Sequence, residues 1–417
     1  MNKLSILMDR ILSAYENEYF VIIGKNGEGK SQLLLDIIKS ISASDLHFKN
    51  LISVSTSAFD RFPLNIRSPK KYEPMTYSYV GVRGGASNNV LSLMSSVSTG
   101  FISKYISSPK DLNRFSMVLE EIGFSTNFEY VYKLIINPEG LHRQNMLIED
   151  EYYILDGNKR TRLDCTQQEF EKIIDFIQYV KGICDKNNQL IYILKISRKA
   201  NFFYDNNSMR NIEFFHYIFK MISLGIVKLI DLRMEKYSKG VISLRRASSG
   251  EQCILLSLLG IAANITDNSI ILIDEPEISL HPEWQQRYIN LLMNTFEGFY
   301  NCKFIIATHS PLVISNLKSS NCYILPMTES EIINAKDYNN RSSDYQLAEL
   351  FEFPGFQNEY ILRTAINLFA KIRANKSFDK DDEKTLKRLS GFKYNLEEKD
   401  PNYDLITALE SMKVIYG

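Results

Sequence analysis

The chain has 417 residues, in which 49 lysines and arginines are balanced by 49 aspartates and glutamates. Zero net charge excludes a global field that would draw the protein onto nucleic acid, although it allows a local basic patch. The five cysteines lack CxxC spacing, no apolar stretch reaches about 18 residues, and Asp9 and Arg10 lie where a signal peptide would be apolar. We therefore expect two or three structural units, no membrane insertion and a cytoplasmic location.

The first predicted site is a glycine-rich turn between a strand and a helix. The apolar run 19–23 is followed by GKNGEGKS at residues 24–31. This is P-loop spacing, because the glycines let the backbone bend around a polyphosphate and point N–H groups at it. Lys30 is placed to reach the β and γ phosphates, and the Ser31 hydroxyl to ligate Mg²⁺. A chance glycine-rich turn is the alternative. The predicted phosphate-binding residues are Gly24, Asn26, Gly27, Gly29, Lys30, Ser31 and Gln32.

A large insertion is predicted after this site, because the next motif, around Ser249, comes 218 residues after Ser31. Apolar residues recur at helical spacing in three parts of it, and no heptad pattern persists, so we expect a compact helical lobe with a hairpin rather than a long coiled coil. The helical segments are 112–122, 167–184 and 209–226. The resulting division is 1–100 and 240–330 for an α/β core, 101–239 for the helical insertion, and 331–417 for a helical C-terminal region.

The insertion also contains the best candidates for a basic patch. A hairpin turn is predicted at Asp156-Gly157, where an Asp-Gly pair suits the backbone of a tight turn. Ordinary solvated charge is the favoured alternative to a nucleic-acid contact. The residues concerned are Lys159, Arg160, Arg162, Lys195, Arg198 and Lys199.

A second phosphate-binding segment is predicted where small hydroxyl residues and a glycine precede a long apolar run. Such a segment is typical of a helix N-terminus, whose free N–H groups and dipole attract anions. A simple helix cap is the alternative. The residues concerned are Ser248, Ser249, Gly250 and Glu251.

Two further buried strands are predicted to end in polar side chains. The run 270–273 leads into Asp274 and Glu275, and the run 304–308 leads into His309. In an open α/β sheet such strand ends form the ligand site. Asp274 can hold Mg²⁺, Glu275 can orient and deprotonate an attacking water, and His309 can sense a γ-phosphate.

In this order the four motifs resemble those of the ATP-binding-cassette (ABC) ATPases: Walker A, the signature, Walker B with its glutamate, and the switch histidine. The resemblance implies ATP and Mg²⁺ as ligands. It also implies that residues 248–251 serve the nucleotide of a second copy of the chain in an ATP-dependent, head-to-tail dimer. The family's adenine-stacking aromatic and coupling glutamine are not placed with certainty by the sequence. Tyr15 or Tyr19 could supply the former, and segment 77–85 lies about where the latter would be.

The stretch EISLHPEWQ at residues 277–285 resembles the RecF-like and overcoming-lysogenisation-defect branch of this superfamily more than transporter ATPases. That resemblance implies that Ser279 and His281 face the partner protomer, although His281-Pro282 also suits a helix start. Further segments resemble the PtuA-like ATPase subunits of Septu and certain retron antiphage systems. They are STSAFDRFP from residue 55, VLEEIGF from residue 118 and DYQLAELFEFPGFQNEY from residue 344.

By this resemblance the chain is an ATP-binding and ATP-hydrolysing subunit that partners a separate HNH nuclease and recognises phage-derived nucleic acid. The sequence shows no metal-nuclease cluster or TOPRIM pattern of its own, and the tail segment 351–360 is a candidate docking element. The rival interpretation is an SMC-like or RecF-like repair ATPase that clamps DNA. A transporter ATPase is disfavoured by the missing glutamine and by LHPEWQ.

Overall fold

The computed structural model forms two units. The first unit comprises Met1–Tyr79, Thr266–Leu292 and Tyr300–Gly417. The second unit comprises Val80–Ile265 and Met293–Phe299. The residues described are 3–43, 48–57, 59–66, 75–81, 90–107, 113–135, 147–148, 151–156, 159–163, 166–195, 211–315, 317, 321–329, 331–338 and 341–417.

The helices and strands follow in chain order. The helices are α1 Lys3–Ser13, α2 Lys30–Ala43, α3 Val90–Ser107, α4 Asn113–Glu121, α5 Gln167–Ile183, α6 Asn211–Ser223, α7 Ser249–Asn264, α8 Pro282–Phe296, α9 Pro311–Ile314, α10 Ser343–Glu349, α11 Glu359–Asn375, α12 Lys380–Lys393 and α13 Pro401–Tyr416. The strands are β1 Glu18–Ile23, β2 Asn50–Ser55, β3 Thr76–Gly81, β4 Phe124–Leu134, β5 Leu147–Ile148, β6 Glu151–Asp156, β7 Lys159–Leu163, β8 Gln189–Lys195, β9 Val227–Lys236, β10 Gly240–Ser243, β11 Ser269–Asp274, β12 Lys303–Thr308, β13 Cys322–Pro326 and β14 Ile333–Asn334.

The first unit is built on a seven-stranded sheet in the order β14-β13-β1-β12-β11-β2-β3. The pairs from β13 through β2 are parallel, and β1, β11 and β12 are buried along their whole length, as their continuous apolar sequences predict. In the register Ile23 pairs with Thr308 and Asp274 with Ala307. The ends of the three motif-bearing strands therefore meet at one edge of the sheet.

The core of this unit packs α1 and α2 against one face of the sheet. It includes Leu7, Ile11, Leu34, Ile37, Leu272 and Ile305. This packing fixes α2, whose first residue is Lys30, against the strands that carry Asp274 and His309. The predicted α/β fold class is confirmed.

The second unit corrects the prediction of a helical insertion. The predicted helices are present as α4, α5 and α6, but they accompany an antiparallel sheet in the order β10-β9-β4-β8. Phe128, Tyr130 and Tyr132 alternate along β4, and all three are buried. This period of two, with aromatic side chains, indicates a strand that packs one face on a core. The two strands of the predicted hairpin are present, since β6 and β7 pair antiparallel with Asp156 opposite Lys159.

Helices α3 and α7 pack closely within the second unit. A Cβ atom on Gly100 would lie 2.9 Å from the Cβ of Ala263, so the small residue is needed for this approach. Helix α7, which begins at the signature, is buried along most of its length.

The C-terminal helices have a hydrophobic core of their own. It includes Ala348, Ile361, Leu368, Leu386, Leu389 and Ile406. Strand β14 still pairs with β13, so the helical region begins at α10 rather than at residue 331 as predicted. None of the helices in the described ranges is long and apolar enough to span a bilayer.

Candidate nucleotide-binding site

The loop between β1 and α2 has the backbone that a phosphate cradle needs. Gly27 and Gly29 have φ angles of 86° and 89°, in the left-handed region that favours glycine. A Cβ on Gly24 would lie 2.3 Å from Glu28 Oε2, which accepts a hydrogen bond from the Lys25 N–H at 2.7 Å. Larger side chains at these positions would therefore distort the loop.

Lys30 lies at the centre of this loop and is only 4% exposed. Its Nζ donates to the carbonyl oxygens of Gly24 at 2.8 Å and Lys25 at 3.0 Å. Burial lowers the pKa of Lys30, against the opposing effect of nearby carboxylates, of which Glu275 has the largest. A bound phosphate would supply the negative charge that this buried ammonium lacks.

Ser31 and Asp274 meet across the end of the sheet. The Ser31 hydroxyl donates to Asp274 Oδ1 at 3.1 Å, and Asp274 is 6% exposed. Burial raises the pKa of Asp274 to about 6; the charges of Glu275, Asp60 and Glu277 add to this, and the bond from Ser31 opposes it. A hydroxyl and a buried carboxylate amid further negative charge are suitable oxygen ligands for Mg²⁺, so the residues fit the predicted metal.

Glu275, Glu277 and His309 form the next part of the site. His309 Nδ1 lies 3.4 Å from Glu275 Oε1 and 3.5 Å from Glu277 Oε1. Glu277 is 7% exposed and accepts the backbone N–H of His309 at 2.7 Å, which fixes where this segment leaves β12. Glu275 has a φ of 49°, a left-handed conformation that glutamate rarely adopts and that is common at functional sites.

Apart from Gly24 and Glu277, these residues line one cavity of about 430 Å³. The predicted lining residues Asn26, Gly27, Gly29, Lys30, Ser31, Gln32, Asp274, Glu275 and His309 are all present in it. Four residues of the loop after β2, which sequence reasoning missed, line it as well: Ser57, Phe59, Asp60 and Arg61. The signal for them is indirect, because only the pairing of β2 with β11 brings this loop to the site.

Gln285 is a further residue that the sequence did not single out. Its Nε2 donates to the carbonyl oxygens of Leu280 at 3.0 Å and Glu277 at 3.4 Å, and its Oε1 accepts from Ser310 Oγ at 2.6 Å. Gln285 therefore connects residues 277–285 to the segment after His309 through hydrogen bonds.

Pro282 begins α8, as the helix-start interpretation expects. A contact of Ser279 or His281 with a partner protomer stays a prediction.

The signature segment caps α7. Ser248 is the N-cap, its side chain accepts the Glu251 N–H, and the Glu251 carboxylate accepts the Ser248 N–H at 3.0 Å. Glu251 also pairs with Lys236. Burial opposes ionisation of Glu251, but the bonds from Lys236 and Ser248 outweigh it and lower its pKa. The helix-cap interpretation is confirmed, and the role of Ser248, Ser249, Gly250 and Glu251 toward a partner's nucleotide stays a prediction.

The chain is similar in sequence to known ATPases. The AAA ATPase domain family matches residues 135–314, a range that begins after the P-loop. The chain is 30% identical to the retron Ec83 probable ATPase of Escherichia coli over 41% of its length, and 35% identical to the retron Vc95 probable ATPase of Vibrio cholerae over 23% of its length. These matches support an ABC-like P-loop ATPase that resembles the retron ATPases.

The chain is also 25% identical over 75% of its length to protein ea59 of Escherichia phage lambda. It covers 49% of that protein, 33% of the Ec83 protein and 19% of the Vc95 protein. It thus spans less than half the length of these curated relatives.

The structure also bears on the remaining predicted contacts of this ATPase. Tyr19 is 3% exposed and stacks on Phe304 with ring centroids 4.7 Å apart, so it is excluded as the adenine contact. Tyr15 is 71% exposed. Of the basic candidates, Lys159, Arg160 and Arg162 lie on β7 and Lys195 ends β8. Residues 82–85, Arg198 and Lys199 lie outside the described residues.

Proposed function

We propose that the protein binds ATP with Mg²⁺ in the cavity at the sheet edge and hydrolyses it. One observation carries the proposal: Lys30, the Ser31–Asp274 pair and the Glu275–His309 pair line the same cavity. Backbone N–H groups and Lys30 bind the phosphates, while Ser31 and Asp274 hold Mg²⁺, which neutralises charge on the transferred group.

Glu275 then orients the attacking water and accepts its proton. His309 contacts the γ-phosphate, and Glu277 accepts a hydrogen bond from the backbone N–H of His309. Glu275→Gln tests this assignment, because the amide preserves size but cannot act as a base. The variant should retain ATP with turnover reduced by about a hundredfold or more. Glu283→Gln on α8 is the matched control, since that carboxylate is exposed and pairs with Arg287. Hydrolysis by Glu275→Gln at the parental rate would remove the basis for the proposed role.

We further propose that two copies close head to tail on ATP, with residues 248–251 of each serving the nucleotide of the other. The first turn of α7 supports this, because a helix N-terminus offers N–H groups and a favourable dipole to an anion. Closure would then depend on ATP.

Finally, we propose that the ATP-gated dimer belongs to an antiphage defence complex and controls a separate HNH-type nuclease, as PtuA-like subunits of Septu and retron systems do by resemblance. The similarity to two retron probable ATPases supports the defence setting. Co-purification of the native complex, followed by mass analysis of protein and nucleic acid, tests it. A nuclease partner is expected; DNA bound without one would favour the DNA-clamping repair ATPase instead.

The loop 351–357 is the proposed docking element for that partner. Phe353 and Phe356 are 54% and 59% exposed. Two hydrogen bonds hold the loop: Asn358 Nδ2 donates to the Pro354 carbonyl oxygen at 2.7 Å, and the Gln357 N–H donates to Asp400 Oδ2 at 2.8 Å. Rigid exposed aromatic side chains are typical anchors of interfaces.

A further inference from the structure

The loop after β2 brings a carboxylate to the nucleotide site that no motif accounts for. β2 runs parallel to β11, with Ser55 opposite Asp274 in the register. Since both strands end at the same sheet edge, the chain that leaves β2 passes beside the acids that end β11. Asp60 in this loop lines the cavity together with Lys30, Ser31 and Asp274.

Asp60 differs from its neighbours in burial and in the way it is held. It is 5% exposed, whereas Phe59 beside it is 91% exposed. The Tyr79 hydroxyl donates to Asp60 Oδ2 at 2.6 Å, and the Phe62 N–H donates to Oδ1 at 3.0 Å. These two donors come from different segments of the chain, so the carboxylate has a fixed orientation at the wall of the cavity.

The charge of Asp60 acts on the predicted metal ligand. Burial is the main cause of the raised pKa of Asp274, and the charge of Asp60 adds to it, behind that of Glu275. Buried like charges repel one another unless a cation lies between them. A Mg²⁺ ion at Ser31 and Asp274 would convert this repulsion into attraction.

We propose that Asp60 is a positioning residue of the nucleotide site, which accepts hydrogen bonds from water bound to Mg²⁺ and so orients the ion's shell. The inference rests on the proposed function. Mg²⁺ keeps several waters when one or two protein ligands and phosphates bind it, and carboxylates beyond the ligands orient such shells.

The test measures binding of a non-hydrolysable fluorescent ATP analogue with Mg²⁺ and again with EDTA. Asp60→Asn preserves shape and the acceptor oxygen for one donor, but removes the charge. With Mg²⁺ the affinity should fall by about tenfold or more. With EDTA it should be unchanged or higher, because a negative charge near the phosphates has gone. Tyr79→Phe should cause a smaller loss, again only with Mg²⁺.

Asp9→Asn is the matched control, since it removes the same charge from an exposed position on α1 that does not line the cavity. It should bind as the parent does in both conditions. If Asp60→Asn lost affinity for the analogue equally with Mg²⁺ and with EDTA, Asp60 would have only a structural role in the loop. Parental affinity of Asp60→Asn in both conditions would also overturn the inference. Lys30→Ala should lose binding in both conditions; if it does not, the nucleotide site itself is wrongly assigned.

Discussion

Burial of single charged residues decides how the nucleotide site responds to its ligands. Burial lowers the pKa of Lys30 and raises that of Asp274, so each residue is pushed toward its neutral form. The negative charge of the phosphates favours the charged form of Lys30, and the positive charge of Mg²⁺ favours the charged form of Asp274. Nucleotide and metal should consequently bind better together than either binds alone.

The first prediction concerns Asp274→Asn and the pH dependence of stability. Because the pKa of Asp274 rises from an ordinary value to about 6 on folding, the native protein binds more protons than the unfolded chain between roughly pH 4 and pH 6. The unfolding free energy should thus fall as pH rises through this window. Without nucleotide, Asp274→Asn should be more stable than the parent by ~3 kcal/mol above about pH 7, and this advantage should disappear near pH 4.

Urea unfolding of both proteins across this pH range measures the difference, and Asp9→Asn, at an exposed position on α1, serves as the control. A variant less stable than the parent at neutral pH, without Mg²⁺ or ATP, would contradict the stated cause of the shift. The same variant should lose Mg²⁺-dependent ATP binding, which separates the stability effect from the ligand effect.

The second prediction concerns His309. It is one-third exposed, and its ring lies near two carboxylates. His309→Ala should slow ATP turnover by about tenfold to a hundredfold while changing ATP affinity little, because the predicted contact matters most as charge develops on the transferred phosphate. Steady-state hydrolysis and analogue binding are measured side by side. An affinity loss as large as the rate loss would instead indicate a role in ground-state binding.

The sequence predicted the residues of the site that belong to contiguous motifs, and missed those that reach it from elsewhere. Lys30, Ser31, Asp274, Glu275 and His309 lie at strand or helix ends that apolar runs define, so their convergence could be anticipated. Asp60 follows β2, whose neighbour on the side of the site, β11, is more than two hundred residues away in sequence. Only tertiary pairing identifies it, and Glu277 and Gln285 likewise act through contacts with the segment after β12.

At the scale of elements, the reliable predictions were the strands buried on both faces and the amphipathic helices. Continuous branched apolar sequence defined β1, β11 and β12, and helical periodicity defined α4, α5 and α6. The antiparallel sheet of the second unit was not predicted. Along β4 the residues Ser125, Asn127 and Glu129 interrupt the aromatic side chains, and such short-range alternation is weaker than a long helical pattern.

The third prediction tests the capped first turn of α7. Gly250 lies in this turn and is buried, so a large charged side chain there would obstruct an approaching phosphate. Gly250→Glu should bind ATP as a monomer but fail to dimerise on ATP. Gly182→Glu, in α5 where no atom lies within 4 Å of an added Cβ, is the matched control. Light scattering with and without ATP measures closure, and circular dichroism checks folding.

Mixing Gly250→Glu with Lys30→Ala extends this test. Each heterodimer would carry both lesions in one composite site and neither in the other, so part of the ATP-dependent activity should return. If heterodimers form and no activity returns, residues 248–251 do not act across a head-to-tail interface.

The fourth prediction belongs to the whole molecule. Because the sequence shows no metal-nuclease motif of its own, we predict that the purified chain leaves phage and plasmid DNA uncut with Mg²⁺ or Mn²⁺. Cleavage should require a partner, and Phe356→Ser should release that partner while ATP binding is retained. Tyr394→Ser is the control, as this side chain is 92% exposed and lies outside loop 351–357. Metal-dependent cutting by the chain alone would refute the separate effector.

The strand order of the main sheet also has a consequence for how the chain folds as it is made. β1 ends at Ile23, yet both strands that flank it, β12 and β13, begin only at Lys303 and Cys322. At a synthesis rate of about 5–20 residues per second, this strand waits roughly 15–55 s for its first neighbour. During that time an apolar strand with two open edges is available for wrong pairing. The nascent amino terminus should therefore depend on chaperones, while β4, β8, β9 and β10 can pair long before the ribosome reaches β12.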